Sequence, residues 1–239
     1  MKRSGLHPAL RLFLSVAFIG AIVLSYFVYR WYTRTGGRAT QVIATIRDRR
    51  AYPEWKITAG SYCNEAPFSL PTNGFIGFIW DDSFRPGHRH QGIDMFGLDE
   101  PGVVPVYAAY PGYLSRLPDW KSTVIIRIPD DPLKPGRQIW TYYTHMADSD
   151  GTSYVSDAFP PGTTEVFVEQ GTLLGYQGNY SGDPNNPTGV HLHFSIVKDD
   201  VNGSFLNELA IKNTLDPSPY FGMPLNAREN PDNVPTCVE

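Results

Sequence analysis

Gly189-Val190-His191-Leu192-His193-Phe194-Ser195-Ile196 is the stretch on which the fold turns. Its composition is that of a β-strand. Period two then sets His191 and His193 on one face, with Leu192, Phe194 and Ile196 packing elsewhere or behind. Two imidazoles on one strand face can point into one site, where one holds a metal and its neighbour moves protons. The competing reading is an exposed strand face that happens to carry two histidines.

Working outward, the chain beyond about Trp55 has the same character. Val103–Ala109, Thr123–Ile128, Gln138–Met146, Glu165–Glu169 and Val190–Val197 read as strands. Pro111-Gly112, Pro135-Gly136, Pro161-Gly162 and Gly182-Asp183-Pro184 supply turns between them. Helical periodicity is nearly absent, with room for one turn at Leu206–Ile211. The pattern predicts an all-β domain, either sheets packed face to face or an open barrel.

Five of the six histidines fall into three short clusters: His88 and His90, His145, and His191 and His193. In Gly87-His88-Arg89-His90-Gln91-Gly92-Ile93-Asp94-Met95-Phe96-Gly97, the glycines argue against a helix and for a loop entering a strand. Gly92 would let the backbone turn so that His90 and Asp94 reach one ion. Imidazole nitrogen and carboxylate oxygen are both good zinc ligands, although the pair alone reads as well as a surface ion pair. His145 follows the strand Trp140-Thr141-Tyr142-Tyr143-Thr144 and alone reads as a structural histidine. His88 reads as a rim residue or an exposed loop histidine.

Together the clusters resemble the lysostaphin/LytM-type zinc endopeptidases, which cut peptidoglycan cross-bridges. The family's ordered motifs appear as His90-Gln91-Gly92-Ile93-Asp94, Tyr143-Thr144-His145 and His191-Leu192-His193. Val104-Pro105-Val106-Tyr107-Ala108-Ala109 and Leu174-Gly175-Tyr176-Gln177-Gly178-Asn179 match supporting stretches, so the resemblance covers roughly residues 74–200. It implies a fold of packed antiparallel sheets forming an open groove. It implies one zinc ion held by His90, Asp94 and His193, with His145 and His191 catalytic but not ligands. Three protein ligands leave a fourth position for water, the pattern of a catalytic zinc site. Zinc would acidify that water, with His191 as its general base or holding it for attack, and His145 stabilising the oxyanion or protonating the leaving amine. Which histidine takes which role stays open. The chain departs from the family in a longer loop over residues 178–189 and an elaborated stretch after His145, so the chemistry transfers more readily than the identity of the cleaved bond.

Before this domain, Leu12 to Tyr29 holds no charge and is mostly apolar. At 1.5 Å per residue it covers ~27 Å, about the hydrocarbon thickness of a bilayer. Trp31 and Tyr32 follow at the interfacial level. The run lacks a small-residue cleavage site, which favours an uncleaved membrane anchor over a signal peptide. Residues 1–32 therefore read as tail and transmembrane anchor, 33–55 as a juxtamembrane stalk with a short helix between Ala39 and Arg50, and 56–239 as the peptidase domain.

The charges are lopsided. Nine of the 20 basic residues lie in the first 50 positions, opposed there by Asp48 alone, so residues 51–239 carry 11 basic and 23 acidic groups, a net of −12. An acidic main domain argues against binding to a phosphate backbone, so no nucleic-acid partner is expected. The positive-inside rule alone would put this domain in the cytoplasm. Peptidoglycan chemistry requires it outside, and the reading adopted is a single-pass cell-membrane protein with an extracytoplasmic C-terminal domain.

Cys63 and Cys237 form no Cys-x-x-Cys pair, which excludes a zinc knuckle. They are either bridged, if the domain is exported, or two independent thiols. Two rival functions remain: a non-catalytic peptidoglycan-binding or hydrolase-activating domain, and a metal-storing domain. Serine hydrolase chemistry has no support, since no Gly-x-Ser-x-Gly elbow occurs.

Overall fold

The computed structural model describes residues 8–48, 52–83, 87–200 and 202–237, with backbone only for 30–37 and 39. Lys2, Arg3, Arg49 and Arg50, and the side chains of Arg30, Trp31, Tyr32 and Arg34, on which the flank and interface readings partly rest, lie outside the described residues.

The domain is built around β9 (Leu192–Lys198), the strand read from the histidine stretch. Leu192, Phe194 and Ile196 are fully buried and enter the main core. Val197, on the opposite face, packs with Ile125 and Trp140 in a smaller cluster. Both faces of the strand are therefore covered, which is why it reads as a largely apolar run interrupted by His193 and Ser195.

Around β9 lies one antiparallel sheet: β1 (Phe75–Phe78), β2 (Ile93–Phe96), β9, β6 (Ile139–Thr144), β5 (Val124–Ile128), β4 (Gly112–Ser115) and β7 (Val166–Val168), in that spatial order. β10 (Thr214–Leu215) pairs with the far part of β9. A second antiparallel pair, β3 (Pro105–Tyr107) and β8 (Leu173–Tyr176), sends Val106 and Leu174 into the same core. The expected packed antiparallel sheets are present. The five strands expected from sequence all occur, four within shortened bounds and β9 ending one residue later at Lys198, while β1, β4, β8 and β10 went unmarked. The single turn expected at Leu206–Ile211 forms, closed by Ala210 N–H on the Asn207 carbonyl at 3.3 Å, and a 3-10 turn follows at Ile211–Asn213.

Gly92 plays a second part beyond the one its sequence suggests. The backbone bends at Gly92 as expected, and the missing side chain also lets β2 lie against β9, since a Cβ there would come within 2.0 Å of the Phe194 carbonyl oxygen. That close approach sets His90 and Asp94 beside the histidine strand.

The N-terminal helix α1 runs without a break from Pro8 to Arg47. Pro8–Tyr29 is apolar enough to be a membrane span or a signal sequence. Its last turns are not free-standing. Arg38, Val42 and Thr45, at spacings that share one helix face, are each buried. Arg38 pairs with Asp82 and donates to the Asn230 carbonyl at 2.8 Å. Val42 packs with Trp55, Phe75, Phe96 and Val234. Cys63 and Cys237 are bridged, with Cα atoms 5.2 Å apart across 174 residues of sequence.

Candidate functional site

Strand pairing brings the first and third histidine clusters together. Asp94 on β2 stands directly opposite His193 on β9, and their side chains meet with Nδ1 of His193 2.8 Å from Oδ1 of Asp94. His90 reaches the same point from the loop before β2. Its backbone is clamped by His90 N–H to Asp82 O and Asp81 N–H to His90 O, at 2.8 and 2.9 Å. Its Nε2 lies 3.0 Å from Asp94 Oδ1 and 3.1 Å from His193 Nδ1.

The orientation of each ring is set from behind. His90 Nδ1 faces the Ile79 carbonyl at 3.0 Å, so it carries the proton and leaves Nε2 with a lone pair. Nε2 of His193 faces Glu208 Oε1 at 2.9 Å and donates to it, leaving Nδ1 free to bind. Two nitrogen lone pairs and one carboxylate oxygen therefore converge, all three within 4.8 Å of one another and all buried. Three acceptors facing one another at such distances repel unless a cation or a proton sits between them. The donor set fits a metal ion.

The electrostatics agree. Burial alone would raise the Asp94 carboxyl, but the charges of His90 and His191 and hydrogen bonds from His193 and His90 hold it well below the usual range. Burial likewise disfavours a charged His193, yet Asp94 and Glu208 outweigh it and lift its pKa to about 10. Without a metal, a proton takes the cation's place.

His145 and His191 stand beside the triad. His191 Nδ1 donates to the Gly189 carbonyl at 2.6 Å, and Phe96 stacks on its ring at 5.0 Å. Its Nε2 lies 3.6 Å from Asp94 Oδ1. His145 Nδ1 donates to the Tyr180 carbonyl at 2.6 Å, and its ring lies 4.5 Å from that of His191. Both rings thus hold their proton on Nδ1 and leave an Nε2 lone pair. Burial, with repulsion from His191 and His193, pushes His145 down to about 3; burial also lowers His191.

Strict alternation would put His145 on the same face as Tyr143, whose ring is buried in the core and whose hydroxyl accepts from Ala109 N–H at 2.9 Å. The backbone of His145 is left-handed instead, at φ 71°, and this breaks the alternation as β6 ends. The five expected residues all line one cleft of about 790 Å³, and His88 lies on its wall. Sequence reasoning missed two contributors. Glu208 follows His193 by 15 positions in a segment with no spacing signal. Val42, Ile43 and Ile46 of α1 line the cleft as well.

No protein-family model and no curated protein matches the chain. Among solved structures it is similar to the catalytic domain of the antimicrobial peptidase lysostaphin from Staphylococcus simulans, at 18% identity and TM-score 0.39, covering 66% of this chain and 94% of that one. It is similar to a Pseudomonas aeruginosa protein assigned to peptidase M23, at 18% identity and TM-score 0.38, covering 80% of this chain and 62% of that one. It is also similar to the catalytic domain of the prophage-encoded M23 protein EnpA from Enterococcus faecalis, at 20% identity and TM-score 0.37, covering 64% and 95%. These neighbours are peptidase domains of the lysostaphin and M23 type, and at such identities the likeness is one of fold.

Proposed function

We propose that this chain is a zinc metalloendopeptidase that hydrolyses peptide cross-links of bacterial peptidoglycan. The observation that carries the proposal is the convergence of the His90, Asp94 and His193 ligand atoms within 4.8 Å, beside two further imidazoles in the same cleft. His90, Asp94 and His193 would hold the metal. When bound, zinc supplies Lewis-acid polarisation of a peptide carbonyl and acidifies water.

The protein's own groups do the rest. His191, neutral and with its Nε2 lone pair close to the triad, accepts a proton from the attacking water. His145, whose Nδ1–H is fixed on Tyr180 and whose ring lies 4.5 Å from that of His191, receives at Nε2 the proton that His191 took from the water and delivers it to the leaving amine, or with that proton steadies charge on the carbonyl oxygen. Glu208 holds His193 in the tautomer that presents Nδ1. A domain that only bound peptidoglycan would need neither His145 nor His191, so their presence beside the triad favours an enzyme.

In this reading Pro8–Tyr29 anchors the chain in the membrane, residues 33–55 link it to the peptidase domain, and that domain lies outside the cytoplasm. The Cys63–Cys237 bridge favours an oxidising compartment. The full chain in detergent, loaded with zinc, should release new amino termini from purified peptidoglycan, identified by mass spectrometry. If no new termini form at full zinc occupancy, the reading fails.

A further inference from the structure

The end of α1 has two flanks. Arg38, Val42 and Thr45 are buried against the domain, whereas Ile43 and Ile46, on the adjoining flank, are 49% and 51% exposed. These two isoleucines line the cleft that holds His145 and His191. The helix is fixed there. Its Arg38–Asp82 pair is buried on both sides, with side-chain exposures of 3% and 6%, and removing one partner from such a pair leaves an uncompensated buried charge. Gly77 of β1 keeps room for the contact: a Cβ there would meet the Phe96 ring at 2.6 Å and Val42 at 3.5 Å. A segment held this way is a built wall of the cleft.

The chemistry of that wall is specific. Phe78 and Leu209 line the cleft together with Ile43 and Ile46. Among the described residues, no lysine or arginine lines it. The two carboxylates, Asp94 and Glu208, are already engaged with histidines. Such a surface gains from covering an uncharged aliphatic side chain and has no lysine or arginine to pair with an anionic one.

We infer that Ile43 and Ile46 of the juxtamembrane helix are specificity-determining residues, forming an apolar subsite that receives an aliphatic side chain flanking the scissile bond. The inference rests on the peptidase reading and narrows its substrate: peptides with an alanine-like or larger aliphatic residue are preferred over runs of glycine. The anchor and the groove are then one structural unit, because the same helix serves both.

The test uses the full chain in detergent, zinc-loaded, with matched peptides that differ only in glycine, alanine or norvaline beside the cleavable bond. Hydrolysis is read from new amines, and affinity from fluorescence anisotropy of labelled peptides with uncleavable bonds. The wild type should prefer the aliphatic peptides on the order of 10-fold. I43S, I46S and the double variant should erode that preference through KM and affinity, bringing the aliphatic peptides toward the glycine peptide. Equal handling of all peptides by the wild type overturns the inference, as does an intact preference in the double variant. A general rise in kcat/KM in the variants also overturns it, since the helix would then be obstructing the cleft. If nothing is hydrolysed but aliphatic peptides still bind better and the variants lose that margin, the peptidase reading falls and the subsite stands.

Discussion

Replacing Glu208 by Gln isolates what the carboxylate behind His193 does for the metal site. Glu208 is 9% exposed, and its Oε1 accepts from His193 Nε2 at 2.9 Å. Glutamine keeps an acceptor oxygen of the same reach but removes the negative charge. The imidazole therefore stays in place, while its Nδ1 loses basicity and the site loses part of the potential that favours a dication. Changes to such outer partners typically cost 10- to 100-fold in metal affinity, about 1.4–2.7 kcal/mol. Because the hydrogen bond survives, the fold should barely notice. Glu208→Ala is the contrasting case: it leaves a buried N–H unpaired and should cost about 1–3 kcal/mol of stability as well. Competition with a chromophoric chelator measures zinc affinity, and thermal unfolding of the metal-free protein measures the fold. If E208Q binds zinc as tightly as the wild type, Glu208 is a packing residue and the outer-partner argument is wrong.

Substituting alanine for His90, Asp94 or His193 should lower zinc occupancy measured by mass spectrometry of the metal; full occupancy in all three would refute the ligand set. His145→Ala and His191→Ala should keep zinc and fold yet lose about 100- to 10,000-fold in turnover, with the double variant losing less than the product of the two. Either histidine whose loss leaves turnover near normal at matched zinc content is structural. In the metal-free protein, the proton on a His193 with pKa of about 10 contributes stability that is complete below pH 6.5 and lost as pH rises through 10. Zinc must displace that proton, so binding at pH 8 should release about one proton, countable by calorimetry in buffers of different ionisation enthalpy; no release contradicts the assignment. Reducing the Cys63–Cys237 bridge opens a loop of 174 residues and should cost up to about 5 kcal/mol by chain entropy, read as a fall in denaturant midpoint. Two titratable thiols in the protein as isolated from cells would rule the bridge out.

The parts of this molecule that could be read from sequence are those with a local period. Alternation around His191 and His193 marks a strand whichever partners it has, and burial of Leu192, Phe194 and Ile196 in the core follows from the same alternation. The apolar run ending at Tyr29 is legible for a similar reason, since length and absence of charge are local properties. Short strands such as β10, with two residues, carry no period and escape.

The unread parts depend on pairs of residues far apart in sequence. Asp94 and His193 are 99 positions apart and meet because β2 and β9 are neighbours in register; no spacing within either segment encodes that. His145 is a sharper case. Its strand period points it at the core, and only a left-handed backbone at φ 71° turns it out of that alternation. A non-glycine residue in that conformation carries a cost of order 1–3 kcal/mol that the surroundings must outweigh. Here the neighbouring contacts are visible: Nδ1–H on the Tyr180 carbonyl at 2.6 Å and, one residue on, Met146 N–H on the Ser122 carbonyl at 3.0 Å. The strained residue is thus one of the two proposed to move protons, and Tyr180 belongs to the long loop over residues 178–189. That loop is therefore more than a rim: shortening it would remove the carbonyl that fixes the His145 tautomer, so its length and the chemistry of the site are coupled.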